Sequence, residues 1–247
     1  MFESLAEFVI YDELNDFLPS EKKNELISYS FNGKPSIKDA IEAIGVPHPE
    51  VNLIVVNEKS VGFDYHLRDG DGISVYPISN SSFEASKVKL REEPPSEFIA
   101  DVNLGKLARM LRMSGFNTVY ENSYSDHDVA GLAEKEKRLV LTRDRRLLRF
   151  KIITHGYWLR ATKPGDQIIE VMRRFDLISR IMPFNIYLEC NGIIEPVEKE
   201  TILDDLEPKT KLYYDEFYHC VSCEKIYWKG SHYEDMSEQI SQISSRV

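Results

Sequence analysis

Two short apolar runs in this chain each lead into an aspartate. The first is Phe98-Ile99-Ala100-Asp101; the second is Leu139-Val140-Leu141-Thr142-Arg143-Asp144, about forty residues later. Runs of this length and composition read as buried strands. In a parallel sheet the C-terminal ends of the strands open onto one crevice. Two carboxylates delivered there can share a hard divalent cation such as Mg²⁺. Each acid also suits an ordinary turn at a strand end.

The elements around these acids alternate between strand and helix, which predicts a parallel sheet with helices on its faces. Leu104–Met113 has helical spacing, with Leu104, Leu107, Ala108 and Leu111 inward and Lys106, Arg109 and Arg112 outward. Gly115 ends it, and Phe116–Tyr120 reads as the second strand. Ser125-Asp126-His127-Asp128 opens a helix over Val129–Glu136, so Asp126 and Asp128 also suit an N-cap and first turn. Asp166 stands where the N-cap of a helix over Gln167–Phe175 is expected.

Charge is unevenly distributed. The chain carries a net charge of −10, yet residues 98–164 hold 13 Lys+Arg against 7 Asp+Glu, a net of +6. Residues 1–78 hold 6 against 14, and residues 165–247 hold 9 against 16, nets of −8 and −7. The basic island contains both acid-tipped strands, and a local basic face suits a polyanion. Lys106, Arg109, Arg112, Arg143 and Arg145 flank the acids and are candidate phosphate contacts. Arg146 and Arg149 read as a solvated helix face.

Residues 1–78 read as an α+β unit of order β-β-α-β-β. Runs around Ala6–Tyr11 and Glu25–Phe31 suggest a hairpin with a long connection. Ser36 caps a helix with Asp39 three residues on, and Gly45 stops it. Val51–Asn57 and Ile73–Pro77 are strands, the second preceded by the turn Arg68-Asp69-Gly70-Asp71-Gly72. Pro47 and His48 read as a rigid loop. Residues 79–97, with Ser79-Asn80-Ser81-Ser82 and Pro94-Pro95, read as a linker.

Leu14-Asn15-Asp16-Phe17-Leu18-Pro19, Gly45-Val46-Pro47-His48-Pro49-Glu50-Val51 and Gly70-Asp71-Gly72-Ile73-Ser74-Val75-Tyr76-Pro77 resemble the ubiquitin-like (β-grasp) domain that precedes a PIN-like nuclease domain in a bacterial family. The segment runs on without the Gly-Gly of sulfur carriers, so no carrier role is expected. Asp101, the 104–112 helix, Gly115, Ser125-Asp126, Thr142-Arg143-Asp144 and the Gln167 helix resemble PIN-like ribonuclease domains of the Mut-seven C-terminal type. The resemblance implies metal-dependent phosphodiester hydrolysis. Asp101 and Asp144 would be the core ligands of Mg²⁺ or Mn²⁺, Asp126 a third ligand or the holder of a metal-bound water, and Asp128 a reserve. Relatives carry Asp where this chain has Asn117, whose carbonyl oxygen can still coordinate, with weaker metal binding.

The same family ends in a zinc ribbon with two Cys-x-x-Cys pairs. Here Cys220-Val221-Ser222-Cys223 keeps the second pair. The first keeps Cys190, with Tyr187 at the position three before it. Three cysteines with water, His219 or His232 as a fourth ligand for Zn²⁺ is one reading; a ribbon without metal, packed by aromatics, is the other. Tyr213, Tyr214, Phe217, Tyr218, Tyr227, Trp228 and Tyr233 form that aromatic set, suited to a small core or to stacking on unpaired bases.

The fold class expected is therefore an α+β β-grasp domain (1–78), a linker (79–97), an α/β PIN-like domain with a small parallel sheet (98–182) and a zinc-ribbon-like module (183–247). The expected function is a metal-dependent ribonuclease acting on RNA, single-stranded by preference, with a protein partner for the acidic β-grasp domain. The alternative is a catalytically weak or inactive RNA- or protein-binding adaptor. Three cysteines are no disulfide framework. With neither a signal-peptide pattern nor an apolar run of membrane length, a cytoplasmic setting without membrane partner is expected.

Overall fold

The computed structural model describes residues 3–77 and 96–246, with only the backbone described at Ser231 and His232. Most of the expected linker, residues 79–95, lies outside the described residues. In chain order the elements are β1 (Ser4–Ile10), β2 (Ile27–Phe31), α1 (Ile37–Ile44), β3 (Val51–Val56), β4 (Lys59–Val61), β5 (Asp71–Pro77), β6 (Phe98–Ala100), α2 (Gly105–Met113), β7 (Thr118–Val119), α3 (Asp126–Glu136), β8 (Leu139–Thr142), β9 (Gly156–Trp158), α4 (Pro164–Arg174), β10 (Ile194–Val197), α5 (Pro208–Tyr213), β11 (Phe217–Cys220), β12 (Ile226–Trp228) and α6 (Ser231–Arg246). They divide into two compact units. One holds residues 1–95 and Asp126–Trp158, the other Ser96–Ser125 and Leu159–Val247.

In the first unit, β1 alternates buried Ala6, Phe8 and Ile10 with outward-facing neighbours, as a half-buried strand must. It sits inside a five-stranded sheet of order β2-β1-β5-β3-β4, antiparallel to β2 and parallel to β5. The Ser36 hydroxyl caps α1 by accepting from Asp39 N–H at 3.1 Å, and Gly45 ends the helix with φ of 123°. Ile37, Ala40, Ile41 and Ile44, spaced for one helical face, share a core with Phe8, Ile54 and Val75. The edge strand β4 was not expected. It follows a tight turn in which Asn57 and Glu58 both have positive φ, without the Asn-Gly pair that signals such a hairpin.

The turn before β5 is held by one buried carboxylate. Asp71 accepts from Asn57 Nδ2 at 3.0 Å, from the Tyr65 hydroxyl at 3.0 Å and from Arg68 N–H at 2.8 Å. Three donors satisfy a charge that burial alone would penalise.

The same unit contains α3, β8 and β9. All four residues of β8 are buried. β9 pairs parallel to it, with Val140 opposite Gly156 and Thr142 opposite Trp158. This strand is a correction to the sequence reading; three residues behind a turn leave no periodicity to detect. Gly156 is required by space, since a Cβ there would stand 2.5 Å from Leu148 Cδ2 and 3.3 Å from Pro49 Cβ.

In the second unit β6 and β7 pair in parallel. A 3-10 turn, Val102–Leu104, joins β6 to α2. α4 begins at Pro164, earlier than expected, because proline suits a first turn. Asp166 is therefore not the N-cap; it lies inside the first turn and pairs with Arg246 at 2.8 Å. β10, β11 and β12 form an antiparallel sheet, packed through Phe217 onto Ile202 and Leu206.

Asp71→Ala is expected to lower unfolding stability by about 2–3 kcal/mol, because charged hydrogen bonds are lost and donors are stranded. Urea denaturation of the two proteins checks it; a change under about 0.5 kcal/mol would show that water replaces the carboxylate at no cost.

Candidate active site and metal centre

Asp144 sits in a loop built by its neighbours. Thr142 Oγ1 accepts from Asp144 N–H at 2.8 Å, and Asp144 Oδ1 accepts from Arg146 N–H at 2.8 Å. These local bonds form the tight turn after β8 and leave the half-buried carboxylate at its tip. The loop is fastened from below by Trp158. Its indole N–H donates to the Arg143 carbonyl at 3.2 Å. Its backbone N–H donates to the carboxylate of Glu50, a fully buried residue just before β3 of the five-stranded sheet. The Arg145 guanidinium lies 3.9 Å from the Trp158 ring centre and 5.4 Å from that of Phe17. The sequence reading placed Arg145 among phosphate contacts. One face of its guanidinium is packed on these two rings.

Asp126 and Asp128 are exposed on the first turn of α3. Two residues apart on a helix, they point to different sides. Between them His127 sets its ring edge-on against Phe150, with centroids 5.0 Å apart.

Asp101, Lys106, Arg109 and Arg112 belong to the second unit. Asp101 is buried directly after β6 and its Oδ1 accepts from Val102 N–H at 2.6 Å. Lys106 and Arg109 are exposed on α2. Arg112 corrects the sequence reading. It is buried, and its guanidinium donates to the carbonyls of Thr118, Leu188 and Glu189, each at 2.8 Å. Burial lowers its pKa, with Cys190 and Glu121 opposing the shift. Helical periodicity put Arg112 on the outer face, but the segment that folds over that face comes from far along the chain. Asn117 is likewise engaged: its Oδ1 accepts from Asn191 Nδ2 at 2.6 Å, while Asn191 Oδ1 accepts from Thr118 N–H at 2.8 Å. Asn191 thus acts as an extra strand residue on β7, a role without a sequence signature.

The cysteines converge. Cys190 Sγ lies 3.4 Å from Cys220 Sγ and 3.5 Å from Cys223 Sγ, and the three form one potential metal-ligand group. Backbone N–H groups of Ser222 and Cys223 bond to Cys220 Sγ, and that of Gly192 to Cys190 Sγ. Burial pushes the Cys190 thiol up to about 11, only partly relieved by the Gly192 amide, with the two other thiols adding to the rise. Burial also acts to raise Cys220, but its two amides and the neighbouring thiols outweigh that and bring it below the ordinary cysteine value. Three soft donors at these separations suit Zn²⁺, whose sulfur ligands at about 2.3 Å stand roughly 3.8 Å apart in a tetrahedron. His219, next to Cys220 on β11, is not in the group; adjacent strand residues face opposite sides.

Tyr187 is buried, and its hydroxyl donates to Glu189 Oε2 at 2.6 Å and accepts from Lys225 Nζ at 3.1 Å. The hydrogen bond from Lys225, reinforced by that from Tyr187, lowers the Glu189 pKa, and the same pairing with Glu189 raises that of Lys225. Beside the ribbon lies a cavity of about 640 Å³, lined by Phe184, Tyr187, Tyr214, Tyr227, Trp228 and others. The aromatic set therefore divides: Phe217 is core, Tyr213 is exposed, and Tyr214, Tyr218, Tyr227, Trp228 and Tyr233 line this cavity.

Residues 96–240 match the family model described as Mut7-C RNAse domain, and residues 3–83 match the one described as Mut7-C ubiquitin. No curated protein and no solved structure matches.

The two α2 arginines should separate cleanly on substitution. Arg112→Met is expected to cost about 2–4 kcal/mol of stability, because buried carbonyls lose a charged donor. Arg109→Met should stay within about 0.5 kcal/mol. Thermal and urea unfolding of both variants check this; equal stability would return Arg112 to the solvated face.

Proposed function

This chain belongs to the Mut7-C RNAse domain family, and we propose that it hydrolyses RNA phosphodiester bonds with Mg²⁺ or Mn²⁺ held by Asp101, Asp144 and Asp126, with Asp128 in reserve. The observation that carries the reading is the placement of two aspartates directly beyond the C-terminal ends of parallel-paired strands, Asp101 after β6 and Asp144 after β8, within a chain of this family. The donor set fits: aspartate oxygens are the hard ligands such cations take. When bound, the ion supplies an activated water and charge neutralisation at the phosphate. Thr142 Oγ1, accepting from Asp144 N–H, and Arg146 N–H, donating to Asp144 Oδ1, hold Asp144 in one orientation. Lys106, Arg109, Arg143 and the exposed Arg146 and Arg149 supply cations to phosphates on either side of the scissile bond.

On this reading residues 98–182 are the nuclease domain, 183–247 the ribbon that helps grip single-stranded RNA, and 1–78 a ubiquitin-like domain. The acidity of that last segment directs it to a protein partner rather than to RNA. Among the described residues no helix is long and apolar enough to cross a membrane. A second reading, an RNA- or protein-binding adaptor with weak or no catalysis, draws on the internal commitment of Arg112, Arg145 and Asn117, which thins the set expected to face RNA or metal.

The test is cleavage of end-labelled single-stranded RNA by the full chain with Mn²⁺ or Mg²⁺, beside Asp101→Asn and Asp144→Asn. Each variant is expected to lose roughly 100-fold or more, since the ion contributes several kcal/mol and each ~1.4 kcal/mol is tenfold. Chelation by EDTA should abolish the reaction. Activity unchanged in Asp144→Asn would sink the assignment of the site; RNA binding without cleavage would establish the adaptor. Lys106→Ala and Arg109→Ala are expected to raise KM with little change in kcat, because they hold ground state and transition state alike.

A further inference from the structure

The C-terminal module contains two copies of one backbone device. In the second, Cys220 N–H donates to the Lys225 carbonyl at 2.9 Å and Glu224 N–H to the Cys220 carbonyl at 2.8 Å. In the first, Tyr187 N–H donates to the Gly192 carbonyl at 2.7 Å and Asn191 N–H to the Tyr187 carbonyl at 3.0 Å. The fifth residue of each is left-handed, Glu224 with φ of 60° and Asn191 with φ of 62°. Each is closed by an antiparallel pair, His219 with Ile226 and Ile186 with Ile193. The match is residue for residue. Cys223 and Cys190 share the fourth position, and Tyr187 shares the first with Cys220.

Tyr187 therefore occupies a ligand position while offering no sulfur. Its hydroxyl is bonded to Glu189 and Lys225, and among the described residues the sulfurs that converge are those of Cys190, Cys220 and Cys223. The two knuckles nonetheless meet closely. A Cβ at Gly192 would stand 2.5 Å from Cys220 Sγ and 2.6 Å from Ser222 Oγ, so glycine keeps the sulfurs together. Cys190 and Cys223 are exposed and Cys220 is buried, so the cluster meets solvent on the side of the first two.

We propose that Cys190, Cys220 and Cys223 hold one Zn²⁺ as a three-sulfur centre whose fourth position takes an exchangeable external ligand, water or a small thiolate, because Tyr187 stands where a fourth protein thiolate would close it. Binding releases the thiol protons to solvent as the metal–sulfur bonds form. A closed four-ligand ribbon site is structural, whereas a site with three protein ligands keeps an open position. The centre exchanges its metal readily and senses free thiols. This inference stands apart from the nuclease reading, and its readouts do not involve cleavage.

The test uses the full chain, reduced with a phosphine so that no thiol is present, and titrated with Co²⁺ and Zn²⁺. One equivalent is expected to bind, with a sulfur-to-cobalt charge-transfer band. Adding 2-mercaptoethanol should strengthen that band by about a third as a fourth sulfur joins three. Tyr187→Cys should show the stronger band from the start, ignore the added thiol, and release Zn²⁺ to a chromogenic chelator roughly tenfold or more slowly. Tyr187→Phe should behave as the unsubstituted chain. No metal uptake by the unsubstituted chain would overturn the proposal. So would an absent thiol response, which would mean that a protein group fills the fourth position, or loss of metal in Tyr187→Phe, which would make the phenol a ligand. The thiol response of the unsubstituted chain decides the matter even if Tyr187→Cys fails to fold.

Discussion

Trp158 is the point at which the ubiquitin-like sheet and the Asp144 loop become one object. Its backbone N–H meets the buried Glu50 carboxylate, its indole N–H meets the Arg143 carbonyl, and its ring lies against Arg145 and Phe17. A short loop beyond a strand end has little apolar surface of its own to offset the entropy of being fixed. Here the fixing contacts come from elsewhere. Glu50 is a carboxyl group removed from water, and such a group is tolerable only with hydrogen bonds in place, so register at the end of β9 and seating of the sheet domain depend on each other. The acidic N-terminal segment is a structural support of the loop that carries the candidate acid.

The cations of the basic island divide by what surrounds them. Arg112 and Arg145 have rigid planar groups suited to several carbonyls or to an aromatic face; Arg112 is buried on carbonyls, and Arg145, half-buried, stacks on rings. Lys106, Arg109, Arg146 and Arg149 remain exposed. Two of these belong to each compact unit, Lys106 and Arg109 to one and Arg146 and Arg149 to the other. Net charge over residues 98–164 thus overstates the field available to RNA, because a buried guanidinium bonded to carbonyls contributes less to the surface potential than an exposed one.

In the C-terminal module the backbone, rather than the sulfur count, defines the device. Paired turns with left-handed fifth residues aim amides at sulfur whether or not a cysteine stands first. With Tyr187 at the first position the turn has the same geometry as with Cys220 there. The phenol is buried against Tyr227, with ring centroids 4.8 Å apart, and its hydroxyl is satisfied by Glu189 and Lys225. The same turn thus presents a phenol in one copy and a thiol in the other.

The local features were legible in the sequence because they rest on local physics. Ser36 and Gly45 bracket α1, alternation marks β1, and a short apolar run ending at Thr142 marks β8, since capping, pleat and burial act within a few residues. The family layout was legible in the same way, from ordered short motifs. The sequence could not show β4 and β9, each three residues long, nor the inward turn of Arg112, whose partners Leu188 and Glu189 lie 76 and 77 residues away. Nor could it show that Asn191 completes the edge of β7, or that Glu50 answers Trp158 across 108 residues. Composition and periodicity determine which residues prefer water and which spacing they repeat. Only tertiary structure decides which distant carbonyl, ring or thiol a given side chain meets, because that depends on how the chain closes on itself.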